Sequence, residues 1–291
     1  MIAASRRSFT VSIPGRAPLV LGPRTLVMGV INVTPDSFSD GGRAIDPMRA
    51  RDFAQAMEAS GADLIDIGAE STRPGATPVG SADEWSRLQP VLEAVAPHVS
   101  LPISIDTYKA VVAEAALDAG AAIVNDISAF EYDPALGPLV AARGVPAILM
   151  HTRGRPGDMY AHAEYADVVA EIAADLRSAV ERALAFGVSR EQLIVDPGIG
   201  FAKRADQSMV ALARLEGLSE LGLPILVGPS RKSFMTAATG PIPVEERDWP
   251  TAAAVTAAVL AGAHIVRVHA VKEMVAVVRV AEALRRAAIS G

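Results

Sequence analysis

Short polar motifs follow apolar segments at several separate places along the chain. Residues 28–42 read MGVINVTPDSFSDGG, residues 230–234 read SRKSF and residues 267–269 read RVH. Each motif comes just after a short apolar run that is typical of a buried strand. Because (β/α)₈ barrels form their active sites at the carboxyl ends of parallel strands, these motifs predict one functional cluster at one end of a barrel.

A set of polar side chains falls at or just after predicted strand ends: Asn32, Asp66, Asp106, Asn125, Asp196, Lys232, Arg267 and His269. A single Asp after a strand usually forms a turn or caps a helix, but so many at one face indicate a ligand site. Carboxylate, amide and ammonium groups match the donors and acceptors on the edge of a flat heterocycle. For Asp66, a role in positioning other groups and a purely structural role stay equally open.

The first and last predicted strands carry groups that suit a phosphate. Arg267 and His269 alternate on the last strand and therefore share a face. Asn32 ends the first strand, which neighbours the last one in a closed barrel, and its amide oxygen can bind Mg²⁺. No spacing indicates a zinc site. The remaining histidines lack such neighbours and are interpreted as structural: His98, His151, His162 and His264.

Two glycine-containing segments fall short of known phosphate-binding motifs. Residues 228–233 (GPSRKS) lack the second glycine of a P-loop, and residues 198–203 (GIGFAK) lack the third glycine of the dinucleotide fingerprint. We interpret the first segment as a loop that leads into a short helix, whose N-terminal amides would bind a carboxylate.

Short β-branched runs alternate with Ala-rich amphipathic segments, which predicts an α/β fold of the (β/α)₈ TIM-barrel type, with an open doubly wound sheet as the alternative. The predicted strands are 26–31, 63–67, 102–105, 122–125, 146–150, 192–195, 224–227 and 264–268. The predicted helices are 46–60, 82–96, 109–119, 134–143, 165–186, 207–215, 250–261 and 272–288. Residues 9–13 and 17–21 predict a β-hairpin within residues 1–22 that caps the amino-terminal mouth of a single domain spanning 1–291.

Composition excludes several function classes. Of 291 residues, 51% are hydrophobic and only 4% aromatic, so the core must consist of Ala, Val, Leu and Ile. The net charge of −6 argues against a nucleic-acid partner. The lack of cysteine excludes disulfides, thiolate metal sites and a Cys nucleophile. Prolines and arginines interrupt the segment after Arg6-Arg7, and the apolar stretch 251–266 is short for a span, so we expect a cytoplasmic protein without a membrane segment.

The wording and order of the motifs resemble the dihydropteroate synthases of the folate pathway. The matching segments are NVTPDSFSDGG (32–42), AESTRPGA (69–76), SIDT (104–107), NDI (125–127), LMH (149–151), DPGIGF (196–201), SRKSF (230–234) and RVH (267–269). The match covers residues 26 to about 285. Four residues depart from the family's commonest wording without removing a ligand group, and they leave the response to sulfonamides open: Ala69, Ala202, Pro229 and Thr236.

The resemblance implies condensation of 6-hydroxymethyl-7,8-dihydropterin pyrophosphate with 4-aminobenzoate, giving 7,8-dihydropteroate and pyrophosphate. The implied pterin ligands are Asp106, Asn125, Asp196, Lys232, Asp66 and Met150. The implied pyrophosphate ligands are Asn32, Arg267 and His269, with Mg²⁺ at Asn32. The implied aminobenzoate pocket consists of Thr72, Arg73, Pro74, Phe38, Phe201 and Ser230. The implied catalytic residues are Asp106, Lys232, Arg267, His269 and Asn32.

The resemblance also implies a dissociative mechanism, in which pyrophosphate leaves before the arylamine attacks a pterin methylene cation close to Asp106. Loops 32–45 and 69–81 would close over this site and exclude water. Since family members are typically dimers, we expect a homodimer that uses the last helices.

Two other functions would share part of this pattern. A pterin-binding methyltransferase barrel would keep the Asp and Asn residues at the strand ends, but it would not need Arg73, the SRKS loop or the RVH pair. A catalytically silent pterin-binding paralogue is disfavoured by the intact catalytic set. Fold alone does not distinguish these functions.

Overall fold

The computed structural model describes residues 6–34, 46–73 and 75–289. In this part of the chain the strands are β1 (Phe9–Val11), β2 (Leu19–Leu21), β3 (Leu26–Asn32), β4 (Leu64–Gly68), β5 (Ile103–Asp106), β6 (Ile123–Asp126), β7 (Ala147–Met150), β8 (Leu193–Asp196), β9 (Leu226–Val227) and β10 (Ile265–Val268). The helices are α1 (Pro47–Ala59), α2 (Ser81–Val95), α3 (Ala110–Asp118), α4 (Leu136–Arg143), α5 (Val168–Ala185), α6 (Ala205–Ala213), α7 (Thr236–Thr239), α8 (Asp248–Leu260) and α9 (Val271–Ile289). Each predicted strand and helix is present with its ends shifted by three residues or fewer. The short helix expected after residues 228–233 is also present as α7, whereas the short 3₁₀ turns were not predicted.

The eight parallel strands β3 to β10 form a barrel rather than an open sheet. They pair in the order β8-β7-β6-β5-β4-β3-β10-β9. A parallel bridge between Val195 and Ile225 joins β8 to the segment that enters β9, and the Val195 N–H donates to the carbonyl oxygen of Pro224 at 2.9 Å. Because this contact links the two ends of the strand order, the prediction of a (β/α)₈ barrel is confirmed and the doubly wound alternative is wrong.

Alternation along the strands separates two apolar clusters. Outward residues such as Ile65, Ile67 and Ile105 pack with the helices in a large outer core. A second cluster, the floor of the barrel, fills its amino-terminal half and includes the hairpin residues Val11 and Leu21. Its members from the barrel strands are Leu26, Met28, Leu64, Ile123, Ile148, Ile194, Leu226 and Ile265. Strands β1 and β2 pair antiparallel, so the predicted hairpin is confirmed.

The same alternation places the predicted ligand groups directly above this apolar floor. On five strands, the residue two positions after a floor residue is a predicted site residue: Asp66, Asn125, Met150, Asp196 and Arg267. Since side chains two apart on a strand share a face, these residues point into the carboxyl-terminal half of the barrel. Among the described helices, none is both long enough and apolar enough to cross a membrane.

Candidate active site

An ion-pair cluster lies at the carboxyl-terminal end of the barrel, the mouth that faces away from the hairpin. Arg267 Nε donates to Asp66 Oδ2 at 2.6 Å, and Arg267 Nη2 donates to Asp106 Oδ2 at 2.8 Å. Asn125 Nδ2 donates to the same Asp66 oxygen at 3.2 Å. Asp66 is fully buried, so this geometry favours the interpretation in which Asp66 positions Asn125 and Arg267.

The electrostatic balance of the cluster is set by Asp106 at the end of β5. Burial raises the pKa of Asp106 to about 7, while the nearby Arg267 guanidinium opposes the rise and the Asp66 carboxylate adds to it. Two carboxylates that share one guanidinium cannot both be fully compensated. Asp106 can therefore gain or lose a proton near neutral pH.

A second part of the mouth pairs a lysine with a carboxylate and an aromatic ring. Lys232 Nζ donates to the carbonyl oxygen of Ile199 and lies 4.4 Å from the centroid of the Phe201 ring. Burial lowers the pKa of Lys232 to about 8, and the charge of Asp196 opposes that change. Burial likewise raises the pKa of Asp196, with Lys232 as the strongest opposing charge. Asp196 Oδ1 also accepts from the Gly198 N–H at 2.7 Å, which fixes the carboxylate within its turn.

The third part of the mouth joins the first and last barrel strands, as predicted from their closure. Asn32 Nδ2 lies 3.5 Å from His269 Nε2, and Ser230 Oγ lies 2.9 Å from His269 Nδ1. The His269 N–H also donates to Ser230 Oγ at 3.2 Å. Burial, reinforced by the Arg267 charge, lowers the pKa of His269 to about 3. His269 is therefore a neutral hydrogen-bonding group at neutral pH, and Arg267 supplies the positive charge.

The predicted aminobenzoate residues differ in how far they are buried. Phe201 and Thr72 are half-buried, Ser230 is buried and Arg73 is exposed. Phe38 and Pro74 lie outside the described residues, as does most of the loop at 32–45. Ser230 lies beside His269 through the contact given above, so its contact with an aminobenzoate carboxylate stays a prediction.

Sequence reasoning missed two ion-pair groups, one at the base of the 69–81 loop and one at Arg231 in the 230–234 segment. Lys109 donates to Glu70 and Glu84 together, and the Tyr108 hydroxyl donates to Glu70 at 2.9 Å, so the base of the 69–81 loop is fixed. Arg231, with a φ of 57°, is held by Asp248 at 2.7 Å. Both groups join residues from separate parts of the chain, and only the run of charged residues after each strand could have indicated them.

The mouth can bind a flat heterocycle and an anion side by side. Carboxylates from β5 and β8, an amide from β6 and the Lys232 ammonium offer acceptors and donors around one slot, with the buried Met150 at the end of β7. Arg267, Asn32 and His269 lie next to this slot and suit phosphate oxygens. Hydrogen-bonding groups that converge in a concave, largely buried space are the usual features of a ligand site.

Asn32 is the residue that suits a Mg²⁺ ion. Its Nδ2 faces His269, so its amide oxygen, the harder ligand, is directed elsewhere. Within residues 6–34, 46–73 and 75–289, no three His, Asp or Glu side chains group as a metal site. An ion at Asn32 would thus take most of its ligands from water and from substrate phosphates, which is how Mg²⁺ is commonly bound.

The chain is similar to known pterin-binding proteins over most of its length. The profile of the family described as pterin binding enzymes matches residues 28–269. Dihydropteroate synthase from Synechocystis sp. is 46% identical over 265 residues, which cover 91% of this chain and 92% of the relative.

Solved structures of similar proteins share the whole fold. Dihydropteroate synthase from Xanthomonas albilineans with 4-aminobenzoic acid matches with a TM-score of 0.87 and 40% identity, over 96% of this chain and 99% of that protein. Dihydropteroate synthase from Yersinia pestis in a sulfonamide drug complex matches with a TM-score of 0.89 and 39% identity, over 96% and 100%.

Proposed function

The chain belongs to the dihydropteroate synthases, a family of pterin-binding enzymes, and we propose that it condenses 6-hydroxymethyl-7,8-dihydropterin pyrophosphate with 4-aminobenzoate. The products are 7,8-dihydropteroate and pyrophosphate, so the enzyme is a transferase of folate synthesis. The observation that carries the proposal is the convergence of Asp106, Asn125, Asp196 and Lys232 on one slot beside Arg267.

The pterin would lie flat in this slot. Adjacent N–H donors on its guanidine-like edge match the carboxylate of Asp196, and Asn125 can serve a donor and an acceptor together. Lys232 would donate to a ring carbonyl or nitrogen. Asp66 would hold Asn125 and Arg267 in place, because its bonds to both use an oxygen that is buried beneath the slot.

The pyrophosphate would lie at the carboxyl ends of the first and last barrel strands, which are paired neighbours. Arg267 supplies positive charge, and His269 and Asn32 donate hydrogen bonds. The amide oxygen of Asn32 would hold Mg²⁺. When bound, Mg²⁺ supplies further positive charge beside the phosphate oxygens.

The aminobenzoate would enter from the loop side of the mouth. Phe201, whose ring already lies against Lys232, would contact its aromatic face, together with Phe38 and Pro74. Thr72 and Arg73 would border the same pocket, and Ser230 with the amides that follow it would meet the carboxylate. Sulfonamides would compete for this position, as the complex of the relative from Yersinia pestis suggests.

The proposed mechanism is dissociative. The bond between the pterin methylene carbon and the pyrophosphate oxygen breaks first, and Arg267 stabilises the charge on the leaving group. A methylene cation conjugated with the pterin ring remains, and the nearby Asp106 carboxylate stabilises it. The neutral arylamine then attacks this carbon and releases a proton, so no strong general base is required.

Pyrophosphate release tests the proposal most simply. The purified protein is given the pterin pyrophosphate and Mg²⁺, with or without 4-aminobenzoate, alongside Lys232→Ala, Arg73→Ala and the surface control Arg177→Ala. We expect turnover that requires 4-aminobenzoate, falls by about 10²-fold or more in the two site variants and is unchanged in the control. Tight pterin binding without release would instead support the silent paralogue or the methyltransferase.

The proposal includes a homodimer formed by helices α8 and α9. These two helices pack together and leave several apolar side chains in solvent, including Trp249, which is 86% exposed. Val280 and Leu284, one turn apart on α9, are also exposed. A second copy of the chain would cover this face. Light scattering should give a dimer mass for the wild type and a monomer mass for Leu284→Glu, whereas a monomeric wild type would contradict this part of the proposal.

A further inference from the structure

A buried lysine contacts the turn that carries Asp196 and Phe201 and is not itself among the proposed ligands. Lys203 is only 1% exposed, and its Nζ contacts three acceptors. These are His151 Nδ1 at 2.8 Å, the Gly198 carbonyl oxygen at 3.1 Å and the Phe201 carbonyl oxygen at 3.0 Å. His151, which the sequence suggested to be structural, lies between Lys203 and Asp175 in a chain of polar contacts.

The proton positions along this chain follow from its outer end. His151 Nε2 lies 3.0 Å from Asp175 Oδ2, a carboxylate that can only accept, so Nε2 carries the proton and Nδ1 is the acceptor. Burial lowers the pKa of His151 to about 4, which keeps the ring neutral. Lys203 must then donate to all three of its partners, as only an ammonium can. Burial lowers the pKa of Lys203, and the three acceptors favour retention of its proton.

The turn that Lys203 binds carries several active-site groups. Residues 196–203 include Asp196, the Ile199 carbonyl that accepts from Lys232, and Phe201, whose ring lies against Lys232. The backbone of this turn is tightly constrained. A Cβ at Gly198 would lie 2.0 Å from the carbonyl oxygen of His151, and Ala202 has a φ of 48°. An alanine in the left-handed region is unfavourable by about 1 kcal/mol, so the turn depends on outside contacts to keep this shape.

We propose that Lys203 is a positioning residue of the synthase. Together with His151 and Asp175 it fixes the 196–203 turn, so that Asp196 and Phe201 meet Lys232 in the geometry that both substrates need. This inference rests on the proposed function, because it concerns the same site. The chain of polar contacts ends at the surface, since the side chain of Asp175 is 44% exposed. Its Oδ2 also accepts a hydrogen bond from Arg153 Nη2 at 2.9 Å.

The test separates positioning from simple loss of folded protein. Lys203→Met and His151→Leu each remove the contact between the turn and the residue that follows β7. We expect the KM of both substrates to rise about tenfold with kcat changed by less than about threefold. A loss of folded protein would instead lower kcat and leave KM unchanged. His151→Asn keeps an acceptor near Nδ1 and should restore KM to within about threefold of the wild type.

A matched pair of variants tests the outer end. Asp175 and Glu171 both pair with Arg153, but only Asp175 contacts His151. Asp175→Asn should raise KM by about threefold, since an amide holds the histidine proton less firmly than a carboxylate does, while Glu171→Gln should not change it.

Several outcomes would overturn the inference: a folded Lys203→Met with wild-type KM, equal KM for His151→Leu and His151→Asn, or equal effects of the Asp175 and Glu171 variants. If Lys203→Met does not fold, the His151 pair decides. Calorimetric binding of the pterin pyrophosphate separates the two proposals. A wild type that binds the pterin without turnover refutes the synthase, whereas equal pterin affinity in wild type and His151→Leu refutes the positioning role.

Discussion

The two halves of the barrel interior lie on the same strands, but one half is lined by apolar side chains and the other by polar and charged ones. In the amino-terminal half the inward residues are apolar, among them Leu64, Ile148 and Ile194, and the hairpin covers them. Two residues further along the strands the inward positions hold Asp66 and Asp196. In the first half, burial removes apolar surface from water, which stabilises the fold. In the second half, burial desolvates charged groups, which is unfavourable. The floor should therefore determine stability, and the mouth should determine binding and chemistry.

The largest effect is expected for Arg267→Leu in the mouth. This change removes the charge that compensates Asp66 and Asp106 and would stabilise the leaving pyrophosphate. We expect kcat to fall by about 10²–10³-fold, measured as pyrophosphate release. A change of less than about threefold would remove Arg267 from the proposed chemistry.

The floor is tested by Ile148→Ala, at the residue two positions before Met150 on β7. Removal of this fully buried side chain should lower the free energy of unfolding by about 2–5 kcal/mol, measured by urea denaturation. KM and kcat should stay within about twofold of the wild type at a temperature where the variant is folded. A selective rise in the pterin KM would show that floor and mouth are not separable in this way.

The free energy of unfolding should depend on pH through the mouth and not through the floor. The pKa of Asp106 is raised from its usual 3.8 to about 7, so its contribution to stability is fully present below the lower value and is lost as pH rises toward the upper one. Asp106→Asn cannot lose that contribution. The stability of this variant minus that of the wild type should grow by about 1–3 kcal/mol between about pH 4 and pH 8.

Urea denaturation at both pH values measures this difference, and Ile148→Ala is the control. The stability difference between Ile148→Ala and the wild type should be the same at both pH values, because no titrating group is removed. A pH-independent difference for Asp106→Asn would contradict the raised pKa.

The smallest effect is expected at the boundary between the halves. Ser104 pairs in register with Asp66 and points into the barrel, where its hydroxyl is buried without a hydrogen-bond partner among the described residues. Ser104→Ala should change stability by less than about 1 kcal/mol and leave kcat/KM intact, since no bond is lost. A loss above about 2 kcal/mol would indicate that a buried water joins Ser104 to the Asp66 oxygen that also lacks a partner.

The sequence predicted the barrel and the position of the mouth, because both follow from local patterns, but the apolar floor was not predicted. Apolar runs of strand length and Ala-rich helices predicted the barrel, and the polar residue after each run predicted the mouth. The motif resemblance then supplied the function. The contacts of Asn32 with His269 could also be anticipated, since closure of a barrel makes its first and last strands neighbours.

The remaining features depend on contacts between distant parts of the chain. Nothing near Lys203 in sequence shows that its ammonium meets His151, some fifty positions earlier. The neutral state of His269 is equally hidden, because it results from burial and from the charge of Arg267 rather than from its own neighbours along the strand. Local patterns thus predict where a side chain points, but not which partners surround it.

The most direct test of the proposed synthase is the product itself. The purified protein, the pterin pyrophosphate, Mg²⁺ and 4-aminobenzoate are incubated, and 7,8-dihydropteroate is quantified by mass spectrometry against the pyrophosphate released. We expect the two products in equal amounts, with neither formed when 4-aminobenzoate is omitted. Pyrophosphate without dihydropteroate, or no product from a folded protein that binds the pterin, would contradict the proposed function.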